Sequence, residues 1–286
     1  MRASSAWQQA WPAPAKLNLM LRILGRRADG YHRLQTVFQF IERCDLIQFT
    51  PRADGVIERV GGPAEVPPEQ DLTVRAARAL QEFTGCRDGV AIDVCKRLPM
   101  GGGLGGGSSD AATTLVALDY LWETHLGTDT LADLGLQLGA DVPVFVRGSA
   151  AWGEGVGEAL TPILLPEPWY LVVCPPCHVS TGAVFADPDL TRDSPPITLS
   201  RFLSGATEND CLAVVTRRYP EVAAALAWLG DWGEARLTGT GACVFATFAA
   251  SESAQEALMH VPEGWTAFVA RGLNRSPLWQ RLNDSS

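Results

Sequence analysis

The sequence predicts an α+β fold in two domains, and three observations carry the prediction. Apolar runs of strand character, separated by Gly, Asp and Pro, crowd the first 60 or so residues. Strands and helices then follow one another without regular β-α-β alternation, which points to α+β layers and away from a doubly wound sheet. A Pro-rich stretch, Thr161 to Pro168, interrupts the chain past its middle and marks the expected boundary, giving residues 1–163 and 164–286.

From Ala15 to Val60 the pattern reads as four short strands. Leu17, Leu19 and Leu21 alternate with Lys16, Asn18 and Met20, and the style continues through 34–41, 45–50 and 56–60. The Pro- and Glu-bearing segment 61–70 reads as a loop. Leu72, Ala76, Ala79, Leu80 and Phe83 then share one side of a helix over 72–84, and 90–95 returns to strand. A glycine loop follows, then a strongly amphipathic helix with Ala111, Leu115, Leu118, Leu121 and Trp122 on its stripe, and a second helix over 129–138. Strands are expected at 150–155, 159–164 and 169–174, a helix- and loop-rich region over 180–230, and a strand, Gly-rich turn and strand over 236–248. A helix at 251–260 and a strand at 265–271 complete the reading.

Nearly half of the 286 residues are hydrophobic, so a full core is available. The net charge of −9 excludes a general nucleic-acid binder, which needs a basic surface to displace counterions. Met1 to Pro14 carries one Arg and no long apolar run, so it is not a secretory signal, and no segment has the roughly 20 apolar residues of a membrane span. Seven scattered cysteines in a chain too large to need disulfides point to a reducing, cytoplasmic location. Cys174-Pro-Pro-Cys177 is a lone CxxC with no second pair, and reads as a strand end running into a Pro turn; the four His residues form no metal-ligand pattern.

The most informative stretch is Leu98-Pro-Met-Gly-Gly-Gly-Leu-Gly-Gly-Gly-Ser-Ser-Asp-Ala-Ala112, with six glycines in seven residues between a strand and a helix. Without Cβ atoms the backbone can approach a ligand closely, and its N–H groups, joined by those of the helix's first turn, converge on an anion. Ser108 and Ser109 add hydroxyls for capping, phosphate or a cation. A polyphosphate suits this arrangement better than a flexible linker, which lacks a flanking strand and patterned helix. No Gly-Lys-Ser/Thr follows, so it is not a Walker A loop, and the dinucleotide fingerprint lacks its second strand and acidic residue.

Two charged residues sit in apolar segments. Lys16 is flanked by Leu17 and Leu19, and Asp141 lies in Leu138-Gly-Ala-Asp-Val-Pro-Val-Phe-Val146. An unpaired buried charge is costly, so the two suggest a pair, although each also reads as a cap, an edge residue or a structural ion pair. Gly25-Arg-Arg-Ala-Asp-Gly-Tyr-His32 ends in two rings able to stack on a base, and Leu237-Thr-Gly-Thr-Gly-Ala-Cys-Val-Phe245 is a second glycine turn, equally a β-turn or a substrate-facing loop.

Taken together, Pro14-Ala-Lys-Leu-Asn-Leu19, Arg27-Ala-Asp-Gly-Tyr-His32, Pro99 to Ser109, Gly139-Ala-Asp-Val-Pro-Val-Phe145 and Leu237 to Cys243 resemble the GHMP kinase superfamily, in its order and over nearly the whole chain. The resemblance implies an N-terminal ATP-binding domain with its phosphate loop, and a C-terminal α/β sandwich domain. It implies ATP and Mg²⁺, a small-molecule alcohol carrying a cytidine diphosphate, no nucleic-acid or membrane partner, and a monomer or homodimer. Asp141 would take the hydroxyl proton, and Lys16 would hold it ionised. Pro99, Met100, Gly101, Gly102, Gly103, Leu104, Gly105, Gly106, Gly107, Ser108 and Ser109 would wrap the triphosphate. Asn18, Tyr31 and His32 would hold the cytidine end, with Phe185 in the same pocket. Asp71 stands where relatives carry Asn near the adenine, and Ser180-Thr-Gly182 lacks the Pro expected near Phe185.

Overall fold

A computed structural model describes residues 6–285; the first five residues of the segment read as lacking a secretory signal lie outside it. The expected row of short strands is instead a long hairpin, β1 (Trp11–Arg26) and β2 (His32–Arg52), followed by β3 (Ile57–Gly61). The polar residues at 42–43, which look like a turn, are absorbed by a bulge: Pro14 pairs with Cys44 but Ala15 already pairs with Ile41. A bulge takes up extra residues and bends the strand without ending it. The alternation in β1 does not separate a wet face from a dry one either, since Lys16 and Asn18 are buried along with Leu17 and Met20.

Helix α1 (Leu72–Thr84) starts at Asp71, whose carboxylate accepts from Thr73 N, and stops at Gly85 in the left-handed region at φ 70°. Strand β4 (Gly89–Cys95) leads into the glycine loop and α2 (Gly106–Leu121). The expected amphipathic stripe on α2 is absent because the helix is buried on nearly every side, from Ser109 through Leu118 without a break. Its alanines let it lie close between α1 and the following helices, α3 (Thr128–Leu138) and α4 (Val142–Arg147). Helix α4 was not anticipated; Val142-Pro-Val-Phe-Val146 is too short and too uniformly apolar to show a period.

Strands β5 (Ala151–Glu154) and β6 (Ala159–Pro162) precede the Pro-rich crossing. Beyond it run β7 (Trp169–Cys174), α5 (Thr181–Ala186), α6 (Leu199–Leu203), α7 (Leu212–Arg218) and α8 (Pro220–Gly230). Then come β8 (Arg236–Leu237), β9 (Val244–Phe248), α9 (Ser251–Leu258), β10 (Thr266–Leu273) and α10 (Pro277–Ser285). The main path of hydrogen-bonded strands runs β3-β4-β2-β10-β7-β9-β8, mostly antiparallel, with β1 and β5 also on β2. β10 makes the join: Gly272 and Leu273 pair with Ile41 and Phe40, while its other end pairs with β7.

Three apolar clusters fill the spaces. One, with Trp11, Phe40, Phe49, Leu115 and Phe145, lies under α1, α2 and α4. A second packs Leu21 and Ile23 of the hairpin against Val214, Leu229 and Val244 of the second half, and a third joins Leu17 and Leu104 to Tyr170 and Phe268. The cysteines hold one surprise against the expectation of no disulfide. Cys174 at the end of β7 and Cys243 just before β9, its antiparallel neighbour, form an S–S bond, although 69 residues apart in sequence, whereas Cys177 of the CxxC is a free thiol.

Candidate active site

A cavity of about 940 Å³ opens where the glycine loop, the β1–β2 hairpin, the start of α4 and the second glycine turn converge. The hairpin supplies Lys16, Asn18, Tyr31 and His32; the loop supplies every residue from Pro99 to Ser108. Asp141 and Phe185 complete the set of expected residues on its wall. Ser109 is the exception: it is fully buried, with its hydroxyl unpartnered, and does not face the cavity.

The loop takes its shape from backbone that only glycine adopts freely. Gly103 has φ 76°, and a methyl group there would stand 2.3 Å from the Thr238 carbonyl oxygen. The second glycine turn backs the first, with Ala242 N and Cys243 N donating to Gly101 O and Gly102 O at 3.2 and 3.1 Å. At the start of α2 the amides of Gly106, Gly107 and Ser108 have no helical carbonyl to bond, and the positive end of the helix dipole lies with them.

Lys16 and Asp141 meet. The Lys16 ammonium lies 3.3 Å from Asp141 Oδ2 and 2.9 Å from Gly103 O, and also donates to Asn18 Oδ1. Three acceptors match its three protons, so the charge is tolerated at 3% exposure. The Asp141 side chain is 34% exposed and so remains within reach of a solute. Asn18, expected at the cytidine end, lines the cavity and is also tied to its neighbours: its Oδ1 takes Lys16, and its Nδ2 donates to Thr36 Oγ1 at 2.8 Å.

A second charged group lies beneath the loop, and sequence reasoning missed it. Lys96 bridges the carboxylates of Asp45 and Asp110, reaching Asp110 Oδ2 at 2.7 Å. Asp45 Oδ1 also accepts from Arg97 N at 2.5 Å and Leu98 N at 2.8 Å. The cluster therefore ties the strand entering the loop to the helix leaving it. Burial pushes the Asp110 carboxyl up to about 7 against the pull of Lys96, while the two carboxylates raise Lys96 despite its own burial. The signal was present only as three charges far apart in sequence.

At the far end, the rings of His32 and Phe185 stack at 5.0 Å with 26° between planes, while Tyr31 stands at the rim, 62% exposed. Burial, then the cations Arg192 and Arg26, hold the His32 imidazole below its ordinary pKa. Asp71 does not offer a free carboxylate to a base. It caps α1 and binds Arg59 at 2.6 Å.

Among the described residues no group of three or more His, Cys, Asp or Glu is placed to hold a metal. A magnesium ion asks less of a protein, since it keeps several waters and takes phosphate oxygens. Ser108 and Asp141 line the cavity, Ser108 Oγ and Asp141 Oδ1 have no hydrogen-bond partner among the described residues, and a hydroxyl with a carboxylate is a donor set that suits it.

The family model described as the GHMP kinases N terminal domain matches residues 71–149, and that of the GHMP kinases C terminal matches 197–266. The 4-diphosphocytidyl-2-C-methyl-D-erythritol kinase of Alkalilimnicola ehrlichii is 58% identical over 97% of this chain and 95% of its own. That of Nitrosococcus oceani is 58% identical over 94% and 96%. A crystal structure of 4-(cytidine 5'-diphospho)-2C-methyl-D-erythritol kinase superposes with a TM-score of 0.81 at 31% identity, covering 92% of this chain and all but 1% of that one, at 99%. A mevalonate kinase structure at 15% identity, with a TM-score of 0.67 over 93% of this chain and 100% of its own, shares the fold. With family models on both halves and relatives of this identity along nearly its full length, the chain belongs to the 4-diphosphocytidyl-2-C-methyl-D-erythritol kinase family of GHMP kinases.

Proposed function

We infer that this chain transfers the γ-phosphoryl group of ATP to the 2-hydroxyl of 4-diphosphocytidyl-2-C-methyl-D-erythritol, a step in the non-mevalonate route to isoprenoid precursors. The observation that carries the reading is the Lys16–Asp141 pair, 3.3 Å apart, in a cavity that the glycine loop lines from Pro99 to Ser108. Phosphoryl transfer needs alignment, charge stabilisation and a proton acceptor, and little covalent chemistry from the protein.

The amides from Gly101 to Ser108 hold the phosphates, with the start of α2 against the anion. Asp141 accepts the proton of the 2-hydroxyl as its oxygen bonds the γ-phosphorus and the bond to ADP breaks. Lys16 favours the ionised form of Asp141 and balances charge on the transferred group. Asn18 orients Lys16. Tyr31, His32 and Phe185 receive the cytidine. A magnesium ion on Ser108 and Asp141, when bound, supplies charge neutralisation between the phosphates. Residues 1–163 form the nucleotide half and 164–286 the second half, and the enzyme works in the cytoplasm as a monomer or homodimer. No helix among the described residues is long and apolar enough to cross a membrane.

The test is ADP release from ATP with 4-diphosphocytidyl-2-C-methyl-D-erythritol, mevalonate or homoserine as acceptor. Turnover is expected with the first alone. Equal or faster turnover of either small acceptor would remove the cytidine assignment.

A further inference from the structure

The cytidine end of the cavity is held by a residue that does not line it. Arg192 lies in the segment between α5 and α6, 160 positions from His32, yet its Nε donates to His32 Nε2 at 3.1 Å. The rest of its guanidinium is spent on the backbone around Phe185. Nη2 donates to Phe185 O and Asp187 O, both at 2.8 Å, and Nη1 to Leu190 O at 3.1 Å. One side chain thus grips both stacked rings, one by a ring nitrogen and the other by its own carbonyl.

We propose that Arg192 is a positioning residue for the substrate's base, fixing His32 in a single tautomer and Phe185 at a set distance from it. This rests on the function inferred above. A guanidinium only donates, so the nitrogen facing it must accept. His32 therefore carries its proton on Nδ1, and Nδ1, which has no protein partner among the described residues, is left as a donor on a residue that lines the cavity. A pyrimidine offers acceptors to such a donor. An imidazolium, with no acceptor, would break the Arg192 bond.

The surroundings agree. Arg26, paired with His32 across the hairpin, is a second cation beside the ring. Of the carboxylates in adjoining segments, Asp29 pairs with Arg27, and Asp187 with Arg217 and Arg218. Arg192 and burial both oppose protonation of His32.

The experiment uses the full chain with Arg192→Met and Arg192→Lys, varying each substrate in turn and repeating over pH. Loss of a charge-assisted bond of this kind corresponds to about tenfold or more in affinity. Arg192→Met is expected to raise KM for the cytidylyl alcohol by that factor, with kcat and KM for ATP within about twofold. The acid limb of kcat/KM for that substrate should move to higher pH, because one cause of the low His32 pKa is gone. Arg192→Lys, which keeps the charge and loses the fork, should recover only part of the affinity.

Wild-type turnover with unchanged KM and pH profile in both variants would overturn the inference and leave the function intact. So would an equal rise in both KM values, which marks general distortion. If the wild-type protein fails to turn over the cytidylyl alcohol at all, the function falls and this inference with it.

Discussion

Removing the Lys96 ammonium tests how the glycine loop is held. In Lys96→Met the carboxylates of Asp45 and Asp110 lose the cation that bridges them, at 0% and 7% exposure. Breaking a buried pair from one side costs about 3–5 kcal/mol, because a charge is left unpaired. Two carboxylates are stranded here, but the cost does not double. Asp45 keeps two backbone N–H bonds, and Asp110, already pushed up to about 7, can take up a proton instead. With an unfolding entropy of about 2.1 cal/mol/K per residue, 286 residues convert that loss to a Tm decrease of about 5–8 °C. Thermal unfolding at pH 8 measures it, and ATP titration should show weaker binding in step, since the cluster joins the two ends of the loop. Adding Asp110→Asn to the Lys96→Met background should restore part of the stability. A loss below about 1 kcal/mol, or no recovery in the double variant, would refute the argument that this cluster is a tightly coupled buried unit.

Other outcomes follow from the same geometry. Asp141→Asn should lower kcat by about 10²- to 10⁴-fold, the usual range for a proton acceptor, with KM for ATP changed little; steady-state ADP release reads both. Gly103→Ala places a methyl 2.3 Å from Thr238 O at a φ of 76°, so it should cost about 1–2 kcal/mol in backbone strain and weaken ATP binding by an order of magnitude or so, measured by calorimetry. Asp187 is held at a pKa of about 2 by Arg218 and Arg217, below its ordinary 3.8. Its carboxylate therefore stabilises the fold above about pH 4, and that contribution is lost as pH falls toward 2. The Tm gap between wild type and Asp187→Asn should be constant at neutral pH and close in that acid window.

Much of the chain could be read from local pattern. The helix at 72–84 and the strand at 169–174 have the bounds that spacing alone suggested, since each shows its period or its apolar run between clear breakers. The glycine loop, which bare backbone between a strand and a helix marks as a ligand-facing segment, does line the cavity. What escaped was whatever depends on partners distant in sequence. The polar pair at 42–43 looked like a turn because nothing local reveals a bulge in the facing strand. Helix α2 looked amphipathic because its stripe was counted without knowing that alanines admit neighbours on the other side. The contacts of Asn18 with Lys16 and Thr36 likewise leave no local trace, since Thr36 lies on the facing strand. The Lys96 cluster, Arg192 and the Cys174–Cys243 bond carry no short-range signature at all.

The β1–β2 hairpin has a consequence for how such a protein can be divided or rearranged. Its base lies in the first half, yet Leu21 and Ile23 near its tip are core residues of the second. A fragment ending near residue 163 would carry a sticky apolar tongue into solvent, and the complementary fragment would have a hole where that tongue belongs. Gene fission or module swapping at the Pro-rich crossing is therefore closed to this architecture unless the hairpin travels with both pieces.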